Sequence, residues 1–528
     1  MTAIDERPAE VREPDHETFD SLDPATGDVV DTYPVHTVAD VEAAVAAARE
    51  ASTWWSALTF AERADVLGRW RGVITRRMAQ LADVVHRETG KPHADATMEI
   101  ALAIDHLAWA AGHARKVLGP RGVAPGLLMA NQAATVEYKP LGVVGVIGPW
   151  NYPVFTPMGS IAYALAAGNT VVFKPSELTP GVGRWLADSL REVVPDRALL
   201  GLVTGLGATG GALASSSGVD KIAFTGSTAT GKKVMAAAAE HLTPVIIEAG
   251  GKDALIVDDD ADLAAAADAA VWGGMSNAGQ TCIGIERVYV HERVYDDFVV
   301  EVEKATRGLV AGAGEGAKLG PITMPSQLDV IRSHVQDALD KGARALVGGL
   351  DAVGDRYVQP TVLLDTPEDS TAVTQETFGP TLTVTRVRDM DEAVERTNAT
   401  SYGLGGAVFS RARGAEIASR IRSGMTSVNA VISFAAIPSL PFGGVGASGF
   451  GRIHGPDGLR EFTYAHAVAR QRIKPPLNLM SFTRTAAADR QLSQIITVLH
   501  GGASTLPKEA GSRIGATITK LAGIARRP

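Results

Sequence analysis

The chain is poor in cysteine, with Cys282 the only one in 528 residues. That excludes an intramolecular disulfide and any all-cysteine metal site within one chain, and no metal site is expected. Aromatic residues make up only 5%, so Ala, Val and Gly must fill the core and form the turns. An excess of positive charge is also missing. The formal net charge is −9, which argues against broad phosphate binding and leaves nucleic acid out of the expected partners. The first residues, MTAIDERPAEVREPDHETFD, are polar and acidic, and no secretory leader is expected from them. Pro140 to Phe173 carries no charge, but Gly and Pro interrupt it repeatedly. A buried strand, a turn and a buried helix explain it better than a membrane span, and a cytoplasmic protein is the expectation.

What is present reads as globular α/β protein, with 45% hydrophobic and 21% charged residues. Residues 1–19 read as a loose arm. Thr37 to Ser56 predicts a helix, with Thr37 and Asp40 as a variant capping box and Val41, Ala44, Val45 and Ala48 on one face. Leu127 to Tyr138 reads as strand, with a break near Asn131. Strands and helices then alternate from GVVGVIG through PVIIEAGG, which predicts a parallel sheet covered on both faces. Its ligand belongs beyond the carboxyl ends of the strands. A second alternating series runs from about Ala254 to Val428.

Four segments carry candidate chemistry. Cys282 follows a polar, irregular stretch, SNAGQT, which can offer backbone N–H groups to an accessible thiol. Glu248 ends the strand TPVIIE before two glycines, as either a satisfied structural acid or a general base raised by desolvation. Asn151 sits between prolines in GPWNYP, as either a turn residue or an amide donor to an oxyanion. Gly226 to Lys233 nearly matches a P-loop, but Lys233 stands where Ser or Thr would hold Mg²⁺, so a nucleotide hydrolase is a distant alternative. The milder reading is a helix N-terminus facing a pyrophosphate. Gly207 and Gly211 lie in a second Gly-rich turn, and the usual GxGxxG fingerprint is absent.

Together, GPWNYP, KPSE, FTGST, EAGGK, GQTC, ETFGP and PFGGVGASGFGR, in that order from about Ser21 to Val468, resemble the aldehyde dehydrogenase superfamily. The resemblance implies a Rossmann-like cofactor domain (20–122 and 142–249), a second α/β catalytic domain (250–461), and a small β oligomerisation arm (123–141 and 462–475). Residues 476–528 remain as a basic amphipathic tail. A homodimer or homotetramer is implied. Cys282 becomes the nucleophile that forms a thiohemiacetal and then a thioester; Asn151 helps form the oxyanion hole; Glu248 activates water. Lys174, Glu177 and Glu376 are assigned to the cofactor riboses, Gly226 and Ser227 to the pyrophosphate, and Gly207 and Gly211 to the adenosine side. Ile147, Trp150 and Phe378 pack on the cofactor, with Ala249, where Leu is usual, beside them.

Glu177 would hydrogen-bond a ribose 2′-OH and repel a 2′-phosphate, which favours NAD over NADP. Glu248 favours hydrolysis over transfer to coenzyme A. The helix after GPWNYP and the loop VISFAAIPSL before PFGG are both uncharged, so an uncharged aliphatic or aromatic aldehyde is expected. Succinate semialdehyde is the alternative, since GQTCIGIERVYV and RIHGPDGL resemble its dehydrogenases. Ile453 replaces a second Glu common in the family, which puts a proton relay there in doubt. A non-catalytic binding protein is a further alternative. Lys474 to Pro528 holds eight Lys or Arg against two acids. Leu492, Ile495, Ile496 and Leu499 give it one apolar face, for docking on protein or for peripheral contact with an anionic membrane.

Overall fold

Short β-branched runs set between Gly-rich turns form two open sheets in the computed structural model, which describes residues 17–314, 316–474 and 479–501. The described residues fall into two compact units. The first extends to Val117 and resumes from Pro140 to Phe462. The second comprises Leu118–Lys139 and the residues from Thr463 onward.

The first unit holds both sheets. One has the strand order Gly449–Phe450, Val245–Ala249, Lys221–Gly226, Val143–Ile147, Thr170–Lys174, Leu200–Leu202. All its pairings are parallel except that of Gly449–Phe450. The chain winds outward from Val143–Ile147 in one direction and then the other, so a switch point lies between that strand and Lys221–Gly226. An open α/β sheet gathers ligands there. Val143–Ile147 and Thr170–Lys174 are buried throughout, which is why they read as continuous apolar runs and not as alternation. Between them, helix Phe155–Ala167 is buried on every face. The uncharged stretch from Pro140 to Phe173 is therefore strand, loop, helix and strand, and no helix among the described residues is long and apolar enough to cross a membrane.

The second sheet has seven strands, in the order Arg344–Val347, Thr361–Leu364, Thr381–Val387, Ile285–His291, Asp253–Val257, Gly406–Phe409, Ser427–Val428. Asp253 follows directly on the Glu248–Gly251 turn, so the two sheets meet where the candidate residues cluster. Helix Val38–Ala57 starts with a full capping box, in which the Thr37 N–H donates to Asp40 at 2.7 Å and the Asp40 N–H to the Thr37 hydroxyl at 3.3 Å. Asp serves as well as the usual Glu.

The second unit contains a three-stranded sheet in the order Thr463–Gln471, Gln132–Pro140, Arg121–Val123. The expected strand from Leu127 is a 3₁₀ turn at Leu127–Met129, and pairing starts only at Gln132. The Arg472 N–H donates to the Asn131 carbonyl at this break. Helix Ala486–His500 carries the apolar face, with Ile495 buried and Ile496 exposed. The rest of the tail lies outside the described residues. At the other end, the segment read as a loose arm through residue 19 already includes strand Thr18–Leu22, paired antiparallel with Val29–Pro34. The segment SLDPATGDVV reads as a short strand, a Pro-Gly turn and a second strand, and the first of these begins at Thr18, inside the segment read as the arm.

Candidate active site

The thiol sits after a turn that few sequences could hold. Helix Leu263–Met275 ends, and Asn277, Ala278 and Gly279 then take φ values of 53°, 55° and 72°. Non-glycine residues in this left-handed region each cost about 1 kcal/mol or more, so the surroundings must offset the strain. Gln280 is a buried amide bracket. Its Nε2 donates to the carbonyls of Asn277 and Pro321, at 3.0 and 3.3 Å, and its Oε1 accepts the Thr323 N–H at 2.8 Å. Gly279 is required for space, since a Cβ there would lie 2.0 Å from the Gly379 carbonyl oxygen. Gly and Gln of GQTC therefore shape the turn, and Cys282, half-buried, follows it.

Asn151 meets this turn from the other sheet. Its Nδ2 donates to the Gln280 carbonyl at 2.9 Å, and its own carbonyl accepts from Asn277 Nδ2 at 3.0 Å. Two residues the sequence reading missed hold it there. Lys91 Nζ donates to the Asn151 carbonyl and to Glu99 Oε2, both at 2.7 Å. Glu99 Oε1 accepts the N–H groups of Val154 and Phe155, at 2.8 and 3.1 Å, and so satisfies the start of helix Phe155–Ala167. Both charged side chains are buried, and the ammonium lies 4.2 Å from the centre of the Tyr152 ring. The only sequence signal was a Lys and a Glu eight apart across a helix start, which alone is unremarkable.

Glu248 ends its strand opposite Thr225, as pairing with Lys221–Gly226 requires. Thr225 Oγ1 donates to Glu248 Oε2 at 3.0 Å, while the buried Oε1 has no hydrogen-bond partner among the described residues. Burial raises its pKa to about 7, and the Thr225 bond opposes that rise. The Cys282 thiol is pushed well above its ordinary value, first by burial and then by the negative charges of Glu248, Glu376 and Asp253. Resting Cys282 is thus a protonated thiol, and Glu248 is partly ionised near neutral pH.

The remaining expected residues divide between two places. Ile147, Trp150, Lys174, Glu177, Gly207, Gly211, Gly226 and Ser227 all line one cleft of about 520 Å³ at the switch point, together with Lys233. A Cβ at Gly207 or Gly211 would meet nothing, so the cleft is open along that wall. Lys174 is buried and donates to the Pro175 carbonyl at 3.0 Å, with Glu177, largely exposed, 3.8 Å away. Ser227 caps helix Thr228–Ala238 by accepting the Thr230 N–H at 3.2 Å.

Glu376, Phe378 and Ala249 do not line this cleft. Glu376 Oε1 accepts the Gly251 N–H at 3.0 Å, on the turn after Glu248, and burial raises its pKa to about 8. Phe378 meets the cleft indirectly, edge-on to Trp150 with ring centres 5.6 Å apart. Ala249 is buried in the core of the first sheet. The Glu286 carboxylate accepts the N–H groups of Thr377 and Phe378 and pairs with buried Lys252, fixing the segment that carries Glu376. Glu286 was legible only as a charge inside an apolar strand.

A sequence profile of the aldehyde dehydrogenase family matches residues 11–468. An NADP-named succinate-semialdehyde dehydrogenase of Mycobacterium ulcerans is 38% identical over 464 residues, covering 86% of this chain and 89% of its own length. The crystal structure of an NAD-dependent aldehyde dehydrogenase from Sinorhizobium meliloti aligns with a TM-score of 0.83 and 35% identity, covering 88% of this chain and 93% of that one. That of a succinate-semialdehyde dehydrogenase from Burkholderia pseudomallei aligns at 0.81 with 34% identity, covering 86% and 95%.

Proposed function

The chain belongs to the aldehyde dehydrogenase family, and from that premise we propose that it oxidises succinate semialdehyde to the dicarboxylic acid, hydrolytically and with NAD preferred. The observation that carries the hydrolytic reading is a buried Glu248 whose Oε1 has no hydrogen-bond partner among the described residues and whose pKa is raised to about 7 by burial, a base available near neutral pH. The relatives named for succinate semialdehyde support that substrate over the uncharged aldehyde expected from the loop composition.

The cleft fits a dinucleotide. Gly207 and Gly211 leave its wall open, Ser227 tops a helix whose N-terminal N–H groups suit a pyrophosphate, and Glu177 is free to reach a ribose 2′-OH. Lys174, Glu177, Gly226 and Ser227 are the residues that hold it in this reading. A nicotinamide held there would supply the acceptor for the hydride that the aldehyde carbon gives up.

The protein's own groups do the rest. The Cys282 thiol gives up its proton to solvent, and its sulfur attacks the carbonyl carbon, while Glu248 Oε1 stays unpartnered. Asn151 spends one amide hydrogen on the Gln280 carbonyl, which leaves the second for the developing oxyanion. Loss of hydride from the thiohemiacetal carbon leaves a thioester on Cys282. Glu248 then draws a proton from water, the hydroxide oxygen attacks the thioester, and the acid leaves as the thiol is restored.

NADH absorbance with purified protein tests this, using NAD or NADP against succinate semialdehyde, butanal and benzaldehyde. Turnover of succinate semialdehyde with NAD is expected. A strong preference for butanal or benzaldehyde instead favours the second reading, an uncharged substrate, which the uncharged helix Phe155–Ala167 supports. A preference for NADP places Lys233, on the same cleft, ahead of Glu177 as the residue that decides the cofactor.

A further inference from the structure

Among the described residues, His454 is a buried ionisable side chain with both ring nitrogens unpartnered, packed against Phe155 of the helix that follows the Asn151 loop. It is fully buried, and its φ of 63° is strained for a non-glycine residue. A buried polar group normally finds a partner, and leaving one without costs about 1–3 kcal/mol. Three elements cooperate to enclose it. Phe155, four residues after Asn151, lies 5.6 Å away between ring centres, Phe442 lies at 5.2 Å and His106 at 3.9 Å. Gly159, one turn further along the same helix, makes the room, since a Cβ there would stand 2.5 Å from His454 Nε2. His106 is already committed: its Nε2–H donates to the Ala435 carbonyl at 3.0 Å. Strain, burial and two idle nitrogens at one residue are hard to account for by packing alone.

We propose that His454 receives the far carboxylate of the aldehyde, with His106 as the second imidazole behind it, and that the carboxylate is bound together with one proton from solvent. This rests on the semialdehyde reading above. Neither cation of the flanking segments is bonded to His454. Lys91 is held by Glu99, and Arg452 donates to the Gly444 and Gly451 carbonyls. The ionisable groups facing His454 are His106 and Tyr163, the latter with its hydroxyl donated to the Pro438 carbonyl. Asp457, on the helix that follows His454, pairs with Arg460. Burial and the neighbouring His106 hold His454 neutral in the free protein. A carboxylate arriving in this aromatic enclosure reverses that balance and draws a proton onto the ring. Entry requires the Phe155 or Phe442 ring to turn aside.

The test compares kcat/KM for succinate semialdehyde with that for butanal, which has the same length and no carboxylate, across pH 7 to 9. In the wild-type protein the ratio is expected to fall about tenfold per pH unit, because binding consumes a proton. His454→Asn keeps a polar side chain of smaller size and cannot take the proton. It should lower the ratio at least tenfold at pH 7 and flatten its pH dependence, with butanal oxidation within about twofold of wild type. A flat ratio in the wild type overturns the proposal even if the variant fails to fold. Equal losses for both aldehydes in His454→Asn make the residue structural and also overturn it. Oxidation of succinate semialdehyde with a flat ratio leaves the substrate reading standing. No oxidation of it overturns both.

Discussion

The cleft at the switch point is walled by Gly207, Gly211 and Gly226 and by an exposed Glu177, whereas the turn before Cys282 is held by buried amides and by a buried ion pair. In the cleft, glycines keep side chains away and leave backbone and one helix end to face whatever enters. Around Cys282, the side chains of Gln280, Asn277, Lys91 and Glu99 make nine hydrogen bonds among them to loops 148–155 and 276–282, to Pro321 and Thr323, and within their own pair. The contrast fits the two tasks. A cofactor that must come and go suits an open wall, while covalent chemistry needs atoms fixed to within a fraction of an ångström.

Breaking the thiol side should have the larger effects. Cys282→Ala should lower oxidation by about 10⁴-fold or more, with cofactor binding retained, since Cys282 does not line the cleft. Fluorescence titration with NAD beside the NADH assay checks both halves. Glu248→Gln should slow steady-state turnover by about 10²–10⁴-fold, while rapid mixing still shows a first-turnover burst of NADH. In the wild type, kcat should rise with pH through about 7 and level above it, because the base works only when deprotonated and its pKa is raised to about 7. The same profile in Glu248→Gln would assign the titration elsewhere.

Lys91→Met leaves the Glu99 carboxylate buried and unpaired, which should cost about 3–5 kcal/mol in chemical denaturation. Adding Glu99→Gln should recover part of that stability. It should not recover kcat, because the Asn151 carbonyl has still lost its charged donor. Recovery of both would reduce the pair to packing.

The sheets and the cleft were legible because they depend on local pattern. GVVGVI, TVVFK and KIAFTG are apolar runs that any parallel sheet needs, and the turns after them carry the Gly and Ser that line the cleft. Cys282, Glu248 and Asn151 stood out by position, each at the end of a strand or in a short constrained loop, but position alone left a structural reading open for each, and their roles came only from the family resemblance. Lys91, Glu99 and Glu286 were not, because their meaning comes from partners 60, 55 and 91 residues away. Glu376 shows the same limit. Its motif suggested a ribose, but here its carboxylate is turned onto the Gly250–Gly251 backbone, a contact set by how the second sheet meets the first.

That carboxylate turned inward gives a pH dependence of stability. Glu376 has its pKa raised to about 8, and Glu248 and Asp253 have theirs raised to about 7, each mainly by burial. The folded protein therefore holds protons that the unfolded chain has released above about pH 4–4.5. Where the folded state binds more protons, stability falls as pH rises. This contribution is complete below pH 4 and is lost progressively as pH climbs to about 8. Glu376→Gln should flatten the upper part of that decline in denaturation measured between pH 5.5 and 8.5, with other groups titrating as before.

The smallest effect belongs to the open wall. Glu177 is exposed, 3.8 Å from Lys174 and accepting the Ser176 hydroxyl at 3.4 Å, so replacing it disturbs little else. Glu177→Ala should leave kcat with NAD within a few-fold and lower KM for NADP by about tenfold, the size of one removed charge repulsion at a solvent-exposed site, about 1.4 kcal/mol. Lys233, on the same cleft, is then available to a 2′-phosphate. Raising ionic strength should shrink the wild-type difference between NAD and NADP, because an exposed carboxylate is screened over about 8–10 Å. A selectivity that survives both the substitution and the salt would have to arise from the shape of the cleft and not from the charge of Glu177.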